Sequence, residues 1–258
     1  MKTKLIFAFV MLLMVSISGC VDDGYEVLPL PPVLKNVPIT DVIPQEYMTI
    51  LKEMNFPIYD GTTPPNIEGC YLADDFWIVA SNVIQDYPYI GTVATKSTAL
   101  YRFYGFNTDY NTLGYEYKIK QSELYSSGEG FGNGLGNISG NGNFFTYYCK
   151  TWGVTSRPTG ESGTGYTANV ISGEKTATGI KNLCYALLML DKDDPYGIIV
   201  PITSVRVFQE MDGLASNSTW GALKQPVNIM QNGNSISYNP LIARFPSEAP
   251  TNNAEGGK

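Results

Sequence analysis

From residue 66 to about residue 210, apolar and polar positions alternate with a period of two, and turn-forming residues recur every 10 to 20 residues. Side chains of a strand point alternately to its two faces, so this pattern predicts a chain of half-buried antiparallel strands. The alternation places strands near 67–83, 97–107, 113–125, 129–139, 143–154, 165–174, 180–191 and 198–210. It is clearest where Leu113, Tyr115, Tyr117 and Ile119 share one face while Glu116, Lys118 and Lys120 share the other. The run Leu183 to Leu190 is apolar on both faces and reads as a central strand covered on both sides, or as a short helix. Asn137-Ile138-Ser139-Gly140 before Phe144–Tyr148 is echoed by Val170-Ile171-Ser172-Gly173 before Leu183–Leu190, as in a meander of similar hairpins. The fold class is therefore all-β: about eight antiparallel strands closed as a barrel, which removes sheet edges, with a two-sheet β-sandwich as the alternative.

Ahead of the strands the period changes. Ile43, Tyr47, Leu51 and Met54 recur at helical spacing, predicting one short helix over 43–55. Asp41 can cap it, Pro44 suits its first turn, and Phe56-Pro57 ends it. Pro29, Pro31, Pro32 and Pro38 make residues 20–39 an extended tether. Residues 40–223 then form the helix-plus-barrel domain. Residues 224–258, rich in Asn, Gln, Ser and Gly, form a partly disordered tail, where 227–230 and 236–238 can add short edge strands.

Composition removes several functions. The 258 residues include no His, which excludes Ser-His-Asp and Cys-His catalysis and a His-ligated metal. With 17 Lys+Arg against 24 Asp+Glu and no basic block, nucleic acid is not an expected partner.

The N-terminus carries an address. Lys2 and Lys4 precede the apolar run Leu5–Met14, which is too short to span a bilayer and has the layout of a secretory signal over 1–19. Ile17-Ser18-Gly19-Cys20 resembles the lipobox of bacterial lipoproteins, in which the Cys becomes the acylated N-terminus. That resemblance implies lipidation at Cys20 and a membrane partner engaged through acyl chains, two of which suffice for stable anchoring. Cleavage would remove Lys2 and Lys4 and move the formal charge from −7 to −9, so the lipid rather than the protein surface would hold the molecule at anionic headgroups. Val21-Asp22-Asp23 resembles the export signal of Bacteroidetes surface lipoproteins. It implies an outer-membrane lipoprotein facing outward, with the periplasm-facing leaflet as the alternative.

Three further stretches look alike to a group of lipoproteins: Pro64 through Leu72, Val170 through Leu183, and Arg206 through Leu214. They resemble an uncharacterised Bacteroidetes lipoprotein family with a lipocalin-like (calycin-type) β-barrel, over about residues 38–220. Such barrels carry Gly-x-Trp on the first strand and an Arg or Lys on the last that packs over the Trp. Here Gly69-Cys70-Tyr71 holds that position with Tyr, and Arg206 lies on the last predicted strand. The resemblance therefore implies a Tyr71–Arg206 contact closing the barrel base, a cation over an aromatic face.

Several side-chain groups are candidates for chemistry. Tyr101, Phe103, Tyr115, Tyr117 and Tyr147 combine flat apolar bodies with hydroxyls, and could line a ligand cavity or simply fill the core. Gly128, Gly130, Gly132, Gly134 and Gly136 leave one face of a strand bare. That face is a floor where a ligand approaches the backbone, a bed for neighbouring aromatic rings, or part of a loop. Cys70, Cys149 and Cys184 cannot all pair internally, and buried free thiols are the expectation. Asp191-Lys192-Asp193-Asp194 crowds three carboxylates, but its spacing is not that of a Ca²⁺ loop and it reads as a solvated turn. Asp74-Asp75 lacks a recognisable second carboxylate for glycoside hydrolysis.

No cofactor, metal site or catalytic constellation is expected. The sequence supports a lipid-anchored binding protein for a small apolar or amphiphilic molecule or a glycan. The alternative is a structural or interaction lipoprotein with a filled barrel.

Overall fold

The computed structural model describes residues 39–91, 97–121, 128–223, 229–231 and 234–236. The predicted signal, Cys20, the tether up to residue 38 and most of the tail lie outside the described residues. The helical segment is two pieces, α1 (Ile39–Val42) and α2 (Gln45–Glu53), rather than one helix over 43–55. Pro44 is the reason. It sits at ψ 143°, extended rather than helical, and takes the residue before α2 instead of its first turn. Asn55 at φ 56° ends α2, with the Phe56 amide donating back to the Leu51 carbonyl at 2.9 Å.

After β1 (Thr62–Thr63) come β2 (Gly69–Asp74), β3 (Phe76–Ser81) and a 3-10 turn (Ile84–Tyr89). Five long strands follow: β4 (Ser97–Asn107), β5 (Thr112–Gln121), β6 (Gly128–Asn141), β7 (Phe144–Ser156) and β8 (Ser162–Lys175). Then come β9 (Gly179–Asp193), β10 (Val205–Glu210), β11 (Leu214–Asn217) and a second 3-10 turn (Trp220–Ala222). Successive strands from β4 to β9 pair antiparallel with their neighbours. Their hairpins carry the expected chemistry: Gly142 takes φ 63° in the tight β6–β7 turn, and Asn111 takes φ 50° just before β5.

β11 pairs with both β9 and β2, and β2 pairs with β4, so eight strands close into a ring. One closed sheet, not a sandwich of two, is the result. The ring is not a regular barrel, because two of its staves are broken. β10 and β11 both run antiparallel to β9, so they are successive halves of one stave, offset by Met211–Gly213. β2 and β3 are likewise halves of a stave bent at Asp75, whose φ is 50°. The bends are pinned to each other, since the Met211 amide donates to the Asp75 carbonyl at 3.1 Å. Sequence alternation placed the last strand at 198–210. In fact 194–204 is a loop, and the missing length is supplied by β11, whose four residues are too few to show a period.

The inward face carries Tyr71, Tyr101, Phe103, Tyr115, Tyr147, Tyr185 and their apolar neighbours. The outward face of β7 to β10 carries a second core of Tyr148, Val170, Ala186, Leu188, Val205 and Val207, covered by Ile43, Tyr47 and Leu51. β9 is thus buried on both sides, which explains its unbroken apolar run. A third, smaller cluster forms where Trp220 lies over Cys70 and Leu100 on the outside of the ring. In the tail, β12 (Ile229–Gln231) and β13 (Asn234–Ile236) pair as a separate two-stranded ribbon.

Candidate functional site

The ring interior has two unlike halves. At one end the segment before β2 crosses the opening: β1 pairs in parallel with β6, the Ser139 hydroxyl donates to the Tyr59 carbonyl at 2.8 Å, and Ile67 is fully buried. Above this plug the space is filled by rings. Phe103 and Tyr147 meet edge-on, with centroids 5.4 Å apart, and Phe103 lies 5.2 Å from Tyr115. The Tyr147 hydroxyl donates to the Leu113 carbonyl at 2.8 Å. Of the two roles the sequence leaves open for Phe103, Tyr115 and Tyr147, cavity lining or core, the structure gives them the core, because they stand at the plugged end.

At the other end lies a cavity of about 460 Å³. Phe76, Ile78, Ala99, Ile119, Leu187 and Phe208 form its apolar walls. Tyr101, Tyr117, Tyr185 and Thr167 line its inner part. Of the five aromatic residues singled out from the sequence, the structure therefore brings Tyr101 and Tyr117 to the cavity. Tyr185, Phe208 and Leu187 were missed. Parity could not have assigned Tyr185 and Leu187, since β9 is apolar on both faces.

The glycine stripe explains why the space exists. β6 is a strand, and its glycines face inward opposite Leu113, Tyr115, Tyr117 and Ile119. The stripe then divides. Lower down, glycine is required by contact: a methyl on Gly132 would sit 2.7 Å from the Tyr117 ring, and one on Gly136 would sit 2.6 Å from the Cys149 Cβ. Nearer the mouth, Gly128 and Gly130 line the cavity, where an added methyl would meet nothing nearer than a backbone carbonyl oxygen, that of Ser156 at 3.1 Å and that of Val154 at 3.4 Å. Gly153 and Gly165, on the adjoining strands, line it too. The stripe is thus a bed for an aromatic ring below and part of the cavity wall above. The loop reading does not hold.

A chain of buried hydrogen bonds runs beneath the cavity. The Tyr185 hydroxyl donates to Asn169 Oδ1 at 3.0 Å, Asn169 Nδ2 donates to the Thr151 hydroxyl at 2.7 Å, and Thr151 meets Thr167 at 2.6 Å. Burial pushes the Tyr101, Tyr117 and Tyr185 phenols well above their ordinary value, so they stay protonated at any physiological pH. Burial likewise pushes the Cys149 thiol far up, and Cys184 up to about 11. Both are free, buried thiols that remain protonated, not nucleophiles, whereas Cys70, which was expected to be a free thiol as well, is disulfide-bonded.

Charges gather at the mouth in pairs. Arg206 lines the cavity and grips the fully buried Asp86 with two hydrogen bonds of 2.7 Å, from Nε and Nη2. Ser81 donates to the same carboxylate at 2.6 Å. Arg157 pairs with Glu161 at 3.3 Å, and Lys120 lies 3.9 Å from Glu129. The expected Tyr71–Arg206 contact is absent, and the register says why. Arg206 pairs with Ser81 and Tyr71 with Asn217, ten residues further along the same stave, or roughly 30 Å. Tyr71 instead donates its hydroxyl to the Ile67 carbonyl and lies 5.1 Å beneath the Lys175 ammonium.

The acidic turn at 191–194 is not a freely solvated one. The Asp194 carboxylate accepts the amides of Ile198 and Ile199 at 2.9 Å, and Lys192 bonds both Asp194 and the Ile199 carbonyl. Burial alone would raise the Asp194 carboxyl, but these hydrogen bonds outweigh it and hold it below its ordinary value. The braced loop carries Ile198, Ile199, Val200 and Pro201 to the cavity wall. Among the described residues, no group of three or more His, Cys, Asp or Glu side chains is placed to hold a metal ion, and no helix is long and apolar enough to cross a membrane. Comparison with protein-family models, with curated proteins and with solved structures returned no match.

Proposed function

We propose that this protein is a small-molecule binding protein that carries its ligand inside the strand ring. The observation that carries the reading is the cavity of about 460 Å³, with aliphatic and aromatic walls, phenol and hydroxyl groups at its inner end, and polar and charged side chains at its mouth. That size and lining are those of small-molecule sites. Gly130→Leu tests the reading. A side chain there enters the cavity, and its first carbon meets nothing nearer than the Val154 carbonyl oxygen at 3.4 Å. The variant should fold and lose binding of an apolar fluorescent probe. Binding equal to the parent would refute the interior site.

We further propose, on the lipobox resemblance, that acyl chains on Cys20 hold the molecule at the cell envelope, in the manner of an outer-membrane lipocalin-like lipoprotein. Cys20→Ala should move the protein from the detergent phase to the aqueous phase, and unchanged partitioning would overturn the anchor.

A further inference from the structure

This inference rests on the interior binding reading and specifies the ligand. Tyr101 and Tyr117 face each other across β4 and β5, where directly opposed side chains start about 5 Å apart. Both line the cavity. Neither hydroxyl has a hydrogen-bond partner among the described residues. Behind them stands Tyr115, with ring centroids 6.1 Å from Tyr101 and 5.8 Å from Tyr117. Its hydroxyl is buried and makes no hydrogen bond. Proteins bury few polar atoms without partners, since each costs the free energy of its lost hydration. Two unbonded phenols on the cavity wall, with a third unbonded in the core directly behind them, therefore mark the wall as an unsatisfied site. By contrast, Tyr147 and Tyr185 have found protein acceptors.

The charges around the cluster select among ligands. Among the described residues, no cation stands among the phenols. Glu210, buried on β10, acts electrostatically on Tyr101 and would repel an anionic head. At the mouth, Arg206 is held by Asp86 and Arg157 by Glu161. Arg157 Nε is buried without an acceptor, so the rim still offers a donor there. A hydrocarbon tail pushed against unbonded hydroxyls would leave them dry. An oxygen placed there would satisfy them.

We propose that the cavity takes an uncharged amphiphile oxygen end first: a ketone, aldehyde or alcohol oxygen bonds the Tyr101 and Tyr117 hydroxyls, and the hydrocarbon body lies along Phe76, Leu187 and Phe208 toward the mouth. Phenols that stay protonated are suited to this, since each can donate to the ligand oxygen without adding charge.

The test uses three probes on the full-length protein: the uncharged naphthyl ketone prodan, its propyl analogue without the carbonyl, and the anion anilinonaphthalene sulfonate. The parent should bind the ketone most tightly. The double variant Tyr101→Phe/Tyr117→Phe keeps both rings and should melt like the parent. It should weaken ketone binding about tenfold, the scale of one or two neutral hydrogen bonds, and leave the propyl analogue unchanged. Emission of the bound ketone should also shift to the blue as its carbonyl loses its donors. Equal binding of ketone and analogue in the parent, or equal loss of both in the variant, would overturn the oxygen-first assignment while leaving the interior site intact. Tighter binding of the sulfonate, lost on Arg157→Gln but not in the double Phe variant, would overturn it in favour of an anion held at the rim. If none of the three binds the parent, the binding reading itself falls, and this inference with it.

Discussion

Arg206 shows how far a side chain's role depends on what the fold places beside it. Its guanidinium is the partner of Asp86, a carboxylate with no exposed surface. Removing one member of a buried pair strands the other charge, which costs more than the pair itself contributes. Arg206→Ala should therefore lower stability by about 3–5 kcal/mol, and much of that loss should be recovered when Asp86→Asn is added. A thermal-melt double-mutant cycle reads the coupling, and strictly additive losses would contradict the clamp. Glu210 makes the opposite case. Burial, and then the hydrogen bond and charge of Asp212, push its carboxyl from 4.5 up to about 7. The folded state thus binds a proton more tightly than the unfolded chain does. Its stabilising effect is complete below about pH 4.5 and is lost as the pH rises toward 7. Glu210→Gln, which keeps an acceptor for the Leu214 amide, should gain on the parent by about 1–3 kcal/mol across that window. Denaturant midpoints at pH 4.5 and pH 7.5 measure the difference, and parallel pH profiles would count against it.

At the scale of elements, closure of the ring depends on short pieces. The 3-10 turn at Trp220–Ala222 is one of them. Its indole lies 4.6 Å from the Arg102 guanidinium and 4.2 Å from the Lys118 ammonium, and Lys118 also donates to the Trp220 and Leu223 carbonyls. Arg102 in turn pairs with Glu116 on the neighbouring strand, its Nε donating at 2.9 Å. The chain that leaves β11 is so fastened over β4 and β5, next to the stave joint. Trp220→Ala should cost about 3–5 kcal/mol through lost packing, and Trp220→Phe less, since a ring face remains for the cations. Equal melting temperatures for parent and Trp220→Ala would show the turn to be a bystander. A cation over an aromatic ring was anticipated from the lipocalin resemblance. Arg206 does not supply it: Lys175 stands over Tyr71 instead, and Arg102 and Lys118 stand over Trp220 on the outside of the ring.

At the scale of the whole molecule, an inward-facing surface of tyrosine and glycine yields a plugged, packed half and an open half. The same residue types serve both. What separates them is longitudinal position: Phe103, Tyr115 and Tyr147 stand near the crossing segment before β2, while Tyr101 and Tyr117 stand one step nearer the mouth. The glycines continue past the last large rings, at Gly130 and Gly128, so the interior empties there. The cavity is a consequence of which end of the stripe the aromatic rings reach.

The sequence alone determined the all-β class, the helical segment ahead of it, most strand positions and the facing of β5, because these follow from the local period of side chains along an extended backbone. It also marked Tyr101, Tyr117 and the glycine stripe as unusual. It could not decide which aromatic residues meet a cavity, since an inward tyrosine has the same parity whether its neighbour across the ring is a ring or a glycine. It could not place Arg206 against Asp86, 120 residues away, nor find the four-residue β11 that completes the closure. Those outcomes depend on contacts between strands distant in sequence and on how far along the ring each residue stands. Only the closed tertiary structure specifies that distance.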